Sequence, residues 1–191
     1  MNKRIILLGL GLIILGAYQF FKNPTSVLDY KDHQYVSSDI QRFNGYTMTN
    51  LEPYEGEFRV FSTQTYLTGK ESEISPIDFM VGWGEMKNPE IYKKINFSQS
   101  NRFGYWRTNQ APPLPVRDME RQVSNMHMIP ANQKIAKQLY QVDEDDLIYL
   151  KGHLVEVKHQ SGWQWRSSLS REDTGNGACE LMLVTEVRMR S

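Results

Sequence analysis

Leu147–Lys158, LIYLKGHLVEVK, is the stretch whose reading decides the fold. In an extended chain Ile148, Leu150 and Leu154 fall on one face, whereas Val155 and Val157 fall on the other. The phase changes beside Gly152, which predicts a bulge or a strong bend in this strand. A bent strand among several others suits a small closed or partly open barrel of the OB-like kind.

Working outward from that stretch, Trp163 and Trp165 share one face of the next strand, with Gln164 and Arg166 opposite. In the last strand Cys179, Leu181, Leu183, Val187 and Met189 alternate with Glu180, Met182, Val184, Glu186 and Arg188. On the N-terminal side, Val116, Met119, Val123 and Met126 are spaced for one helical face, and Pro130 ends the segment. Ile135, Leu139 and Val142 predict a second short helix. Earlier strands are predicted from Phe58 to Leu67, from Ile77 to Gly84 and from Arg102 to Arg107. The expected class is α+β: a mainly antiparallel β domain over residues 55–191 with a two-helix insert. Residues 23–54, polar and turn-rich with single aromatics, are expected to form a tether and irregular lead-in.

The first residues predict a location. Met1-Asn2-Lys3-Arg4 leads into a charge-free apolar run from Ile5 to Phe21, closed by Lys22. No small-residue cleavage site follows, and no cysteine stands there for lipidation. Tyr18, Phe20 and Phe21 suit a membrane interface, so residues 1–22 are expected to be a signal-anchor helix. Lys3 and Arg4 place the N-terminus in the cytoplasm. The expectation is a single-pass protein of the bacterial inner membrane, with its C-terminal domain in the periplasm. Without Lys3, Arg4 and Lys22, 19 basic residues face 22 acidic ones, a net charge of −3. That balance offers no footprint for nucleic acid. One cysteine in 191 residues excludes an internal disulfide framework and a cysteine-rich zinc site.

Several motifs invite chemistry and are better explained by structure. Asp173-Thr174-Gly175 spells the triplet of the aspartic proteases. Those enzymes present it after an apolar strand, whereas Ser170-Arg171-Glu172 precedes it here and no second triplet exists. A polar loop from Ser170 to Gly177 between two strands is the favoured reading. Glu172, Asp173, Asn176 and Glu180 do not match the spacing of an EF-hand loop. Cys179 could act as a nucleophile with His127 as its base. Its place in the apolar phase of its strand favours a small buried hydrophobe. His33, His127, His153 and His159 lack metal-ligand spacing, and no cofactor or metal is expected. Trp83, Trp106, Trp163 and Trp165 could line a sugar-binding groove, though core or partner-facing positions are the favoured reading. Arg102, Arg107, Arg166 and Arg171 suit an anionic group or exposed strand faces.

The stretches DFMVGWG (78–84), PPLP (112–115), SNMHMIPA (124–131), GHLVEV (152–157) and WQWRSSLSREDTGNGACE (163–180) resemble a family of uncharacterised bacterial membrane-anchored proteins. The resemblance covers about the outer two-thirds of the chain and implies a class without an activity. It directs attention to Trp83, His127, Arg166, Asp173, Cys179 and Glu180, which lie inside those stretches.

The leading expectation is a non-enzymatic binding or assembly protein of the envelope, partnered by the membrane and by another envelope protein. Its candidate ligand-binding residues are Trp83, Trp106, Arg166, Asp173 and Glu180. The alternatives are a hydrolase or transferase using Cys179 and His127, and a module that binds cell-wall carbohydrate.

Overall fold

The computed structural model describes residues 32–170 and 179–190. The expected anchor, residues 1–22, lies outside them. Among the described residues no helix is long and apolar enough to cross a membrane.

Among the described residues ten strands carry the fold: β1 (Gln34–Tyr35), β2 (Ile40–Phe43), β3 (Tyr46–Thr65), β4 (Ile77–Gly82), β5 (Ile95–Ser100), β6 (Phe103–Thr108), β7 (Val123–Pro130), β8 (Leu147–His159), β9 (Gln164–Arg166) and β10 (Leu181–Arg190). Three short helices join them: α1 (Pro89–Tyr92), α2 (Val116–Glu120) and α3 (Gln133–Leu139). The domain is mainly β. Its large sheet runs β1-β2-β3-β4-β7-β10-β8-β9, and β3 pairs with β8 as well as β4. The hydrogen-bond ladders therefore run in a ring, β3-β4-β7-β10-β8 and back to β3. All neighbours in the ring are antiparallel except β7 and β10, which are parallel. β5 and β6 form a separate two-stranded sheet.

The ring encloses one core and carries two more on its outside. Inside lie Phe58, Val60, Phe79, Val81, Met126, Met128, Ile148, Leu150, Leu154, Met182 and Val184. Helix α3 packs Ile135, Ala136 and Leu139 onto that core. The Asn132 side chain caps the helix by accepting from the Ile135 amide at 2.9 Å. On the outer side, Phe43, Tyr46, Met48, Ile129, Val155, Val157, Leu181 and Leu183 form a second core, with Trp163 and Trp165 packed on it. A third, of Phe61, Met80, Met86, Tyr92, Ile95 and Met119, lies beneath the β5–β6 hairpin with Phe97 and Trp106.

This double packing explains the phase change in β8. Ile148, Leu150 and Leu154 face the barrel interior, while Val155 and Val157 face the second core. The expected bulge is carried by the partners instead. Leu51 is the extra residue on β3 opposite Val155 and Leu154, and Thr185 is the extra residue on β10 opposite Gly152 and Lys151. Gly152 serves close approach: a Cβ there would run into the Leu183 carbonyl.

Two expectations fail. The first predicted helix survives only as α2, because Val123 and Met126 belong to strand β7. Seven of the eight residues of β7 are buried, so both faces are covered and the alternation that marks a strand is missing. From Gln34 onward, the segment expected to be a tether supplies β1, β2 and the first part of β3. The turn Asn44-Gly45, with φ of 47° and 81°, joins β2 to β3 as a type I′ hairpin requires.

Candidate functional site

The outer face of β4 and β7 holds a buried polar seam between the second and third cores. Asp78 and His127 are register partners on these two strands, opposite in phase to the interior residues Phe79 and Met126. A carboxylate at this depth needs counter-charge or donors. Asp78 is fully buried. Its Oδ1 accepts from Arg102 Nη1 at 2.8 Å, and its Oδ2 lies 3.0 Å from His127 Nδ1, off the line of a hydrogen bond.

Arg102 arrives from the tip of the β5–β6 hairpin. Its Nη1 also donates to the Ser75 carbonyl at 2.9 Å. Its guanidinium carbon stands 3.6 Å from the centre of the Tyr66 ring and 5.9 Å from that of Trp165. The Arg102 amide donates to the Tyr66 hydroxyl at 3.2 Å. Burial, and then the nearby Asp78 carboxylate, push that hydroxyl up to about 12. Asn125 fixes the hairpin from below: its Nδ2 donates to the Arg102 carbonyl at 2.9 Å, and its Oδ1 accepts from Gln99 at 2.6 Å. The Trp165 ring closes over His127, with centroids 4.7 Å apart.

The seam thus draws on the β3–β4 connection (Tyr66, Ser75), on β4 (Asp78), on the β5–β6 turn (Arg102), on β7 (Asn125, His127) and on β9 (Trp165). Chemically it is a receptacle for a planar cation: a carboxylate, a carbonyl and aromatic faces around one guanidinium.

The structure disperses the other candidates. Trp83 packs on the interior core, edge-on to Phe58 with centroids 6.1 Å apart. Trp106 packs on the core beneath the hairpin, so the four tryptophans do not share one groove. Only Trp163 and Trp165 meet, edge to face with centroids 6.0 Å apart. Arg166 is exposed and pairs with Glu156 at 3.3 Å. Glu180 is buried and accepts from the Ser124 hydroxyl, while its carbonyl accepts from the His127 amide at 2.8 Å. Cys179 precedes β10, half-buried rather than in the core, and its carbonyl accepts from the Ser168 amide at 3.2 Å. His127 directs its Nδ1 side at Asp78. Asp173 lies outside the described residues. No group of three or more His, Cys, Asp or Glu among the described residues is placed to hold a metal ion.

Asp78, Tyr66, Asn125 and Ser75 were not among the expected site residues, and Arg102 was expected only as one of four arginines suited to an anion or to exposed strand faces. The available signal was Asp78 itself, a lone carboxylate inside the apolar run IDFMVG. Comparison with family models, with curated proteins and with solved structures gives no match for this chain.

Proposed function

We propose that the domain is an OB-like binding module, and that the chain is a non-enzymatic binding or assembly protein of the bacterial envelope. On this reading residues 1–22 anchor it in the inner membrane and the barrel works in the periplasm. One observation carries the proposal: where the seam lies on the ring. OB-like barrels bind ligands on the face of their second and third strands, framed by the connections between strands one and two and between strands four and five. In this ring those strands are β4 and β7, and those connections supply Tyr66 and Ser75 on one side and Trp165 on the other. Side chains on that face are also unusually polar for their burial, with Asp78, Asn125 and His127 all below a tenth exposed. The charge balance argues for a protein partner over nucleic acid.

Site-directed photo-crosslinking in envelope preparations tests the reading. A photoreactive residue at Lys70 or Tyr105, beside the seam and on the hairpin, should give one discrete protein adduct. The same residue at the exposed Met189 should give none. Equal, diffuse labelling from all three positions, or no adduct from any, would sink the proposal.

A carbohydrate-binding reading has one observation of its own. Trp165 on the edge strand β9 and Trp163 just before it sit together, with the Lys70 ammonium 5.9 Å from the Trp163 ring centre. Quenching of tryptophan fluorescence by cell-wall fragments, lost in Trp163→Ala, is its test.

A further inference from the structure

We propose that the seam is an arginine socket, a site that recognises the guanidinium of a partner protein's arginine and is occupied in this state by the chain's own Arg102. The inference rests on the binding reading above and names the chemistry of its ligand.

The argument begins with the turn. β5 and β6 are joined by the two-residue loop Asn101-Arg102, with Ser100 opposite Phe103. Both loop residues have positive φ, 51° and 69°. Such a turn favours glycine at its second position, because a left-handed conformation brings the Cβ of other residues too close to the following carbonyl. Asn adopts it several-fold more readily than arginine. Strain of this kind is maintained where the side chain is needed, at clamps and switches. Here it aims Arg102 at Asp78.

The occupant fits loosely. Of its nitrogens, Nη1 alone bonds the socket, to Asp78 Oδ1 and to the Ser75 carbonyl. Among the described residues, the buried Ser75 hydroxyl makes no hydrogen bond, and Asp78 Oδ2 makes none either, having only the misaligned His127 Nδ1 at 3.0 Å. A guanidinium entering squarely could engage both Asp78 oxygens, the bidentate geometry that makes arginine–carboxylate pairs strong. The socket therefore offers more than Arg102 takes. The hairpin is also the one pair of strands outside the main ladder, held to the barrel by side-chain contacts and by Asn125. Its tip can lift without breaking a ladder of the ring, while Ile95, Phe97 and Trp106 stay on the third core. A partner's arginine that takes the socket displaces the tip.

The test uses the full-length chain in mild detergent. Arg102→Ala vacates the socket. Low-millimolar methylguanidinium should raise the thermal midpoint of that variant, with roughly tenfold weaker response to methylammonium, which is a point charge without the planar fork. The double variant Arg102→Ala with Asp78→Asn should lose the response. In the wild-type chain, a short arginine-containing peptide amide should speed hydrogen exchange in residues 95–108, and the matching lysine peptide should not. If Arg102→Ala does not fold, Arg102→Lys serves in its place and the wild-type exchange experiment stands independently. Equal responses to the two cations, or a wild-type hairpin indifferent to the arginine peptide, would overturn the socket. Cross-linking from Lys70 and Tyr105 that survives such a result would leave the binding reading intact and remove only its arginine chemistry.

Discussion

Two turns in this molecule have the same length and the same handedness but differ at one side chain. Asn44-Gly45 joins β2 to β3, and Asn101-Arg102 joins β5 to β6. All four residues have positive φ. The first turn places glycine where glycine is easiest, and its role is to reverse the chain. The second places an arginine at the same position and uses it to reach a buried carboxylate. A strained turn with a partner and an unstrained turn without one illustrate the difference between connecting a fold and equipping it.

The largest expected effect comes from removing the partner. Asp78→Ala leaves the Arg102 guanidinium, only 17% exposed, without its counter-charge, and should lower unfolding stability by about 3 kcal/mol in urea titration. A loss under about 1 kcal/mol would mean that the second turn does not depend on its arginine contact.

Next comes the arm that carries the first turn. His33 is buried, its pKa lowered to about 4, mainly by burial. Its amide donates to the Ala131 carbonyl at 3.4 Å, and its Nδ1 lies 3.2 Å from Gln41 Oε1. Because the folded state binds the proton less well than the unfolded state, the His33 contribution is complete above the unfolded value of 6.5. It fades as the pH falls toward 4, by about 3 kcal/mol in all. His33→Gln should flatten the difference between urea midpoints measured near pH 7 and near pH 4.5. An unchanged slope in the variant would show that His33 does not dock the arm.

The smallest effects come from exchanging the turns' chemistry. Gly45→Arg copies the second turn onto the first, where a Cβ would also lie 3.3 Å from His159 Nε2. It should cost about 1–2 kcal/mol. Arg102→Gly relaxes the strain but leaves the fully buried Asp78 carboxylate without its counter-charge, so its net loss should be about 2 kcal/mol, below that of Asp78→Ala by the strain it relieves. If Arg102→Gly were the more damaging of the two, the arginine would be supporting more than its contact with Asp78.

The strands β4, β8 and β10 were legible because each has an apolar phase that repeats every second residue, and β6 by its aromatics, whereas the bulge expected beside Gly152 lies on the partner strands β3 and β10. Legibility failed where polar side chains are covered. Ser124, Asn125 and His127 made β7 look like something other than a strand, since polarity in a sequence normally reads as exposure. Here the hairpin and Trp165 cover them. The lead-in to the barrel was missed for another reason: Asn44-Gly45 is a strong hairpin signal, but the flanking strands are polar and half-exposed. The site itself was illegible as a set. Tyr66, Asp78, Arg102, His127 and Trp165 span a hundred positions of sequence, and only the closure of the ring brings them together.

The register of β3 also sets how the domain bears mechanical load. Its thirteen paired positions with β8 dwarf the two that join β1 to β2 and the four that join β2 to β3. Tension arriving at Asp32 therefore meets the weakest bonds first and peels the arm, releasing His33 from Ala131, before any of it reaches the barrel. Unravelled from residue 32 to residue 45, that arm would add about 45–50 Å of reach. The arm is thus the part of the domain that yields first when the chain is pulled from residue 32.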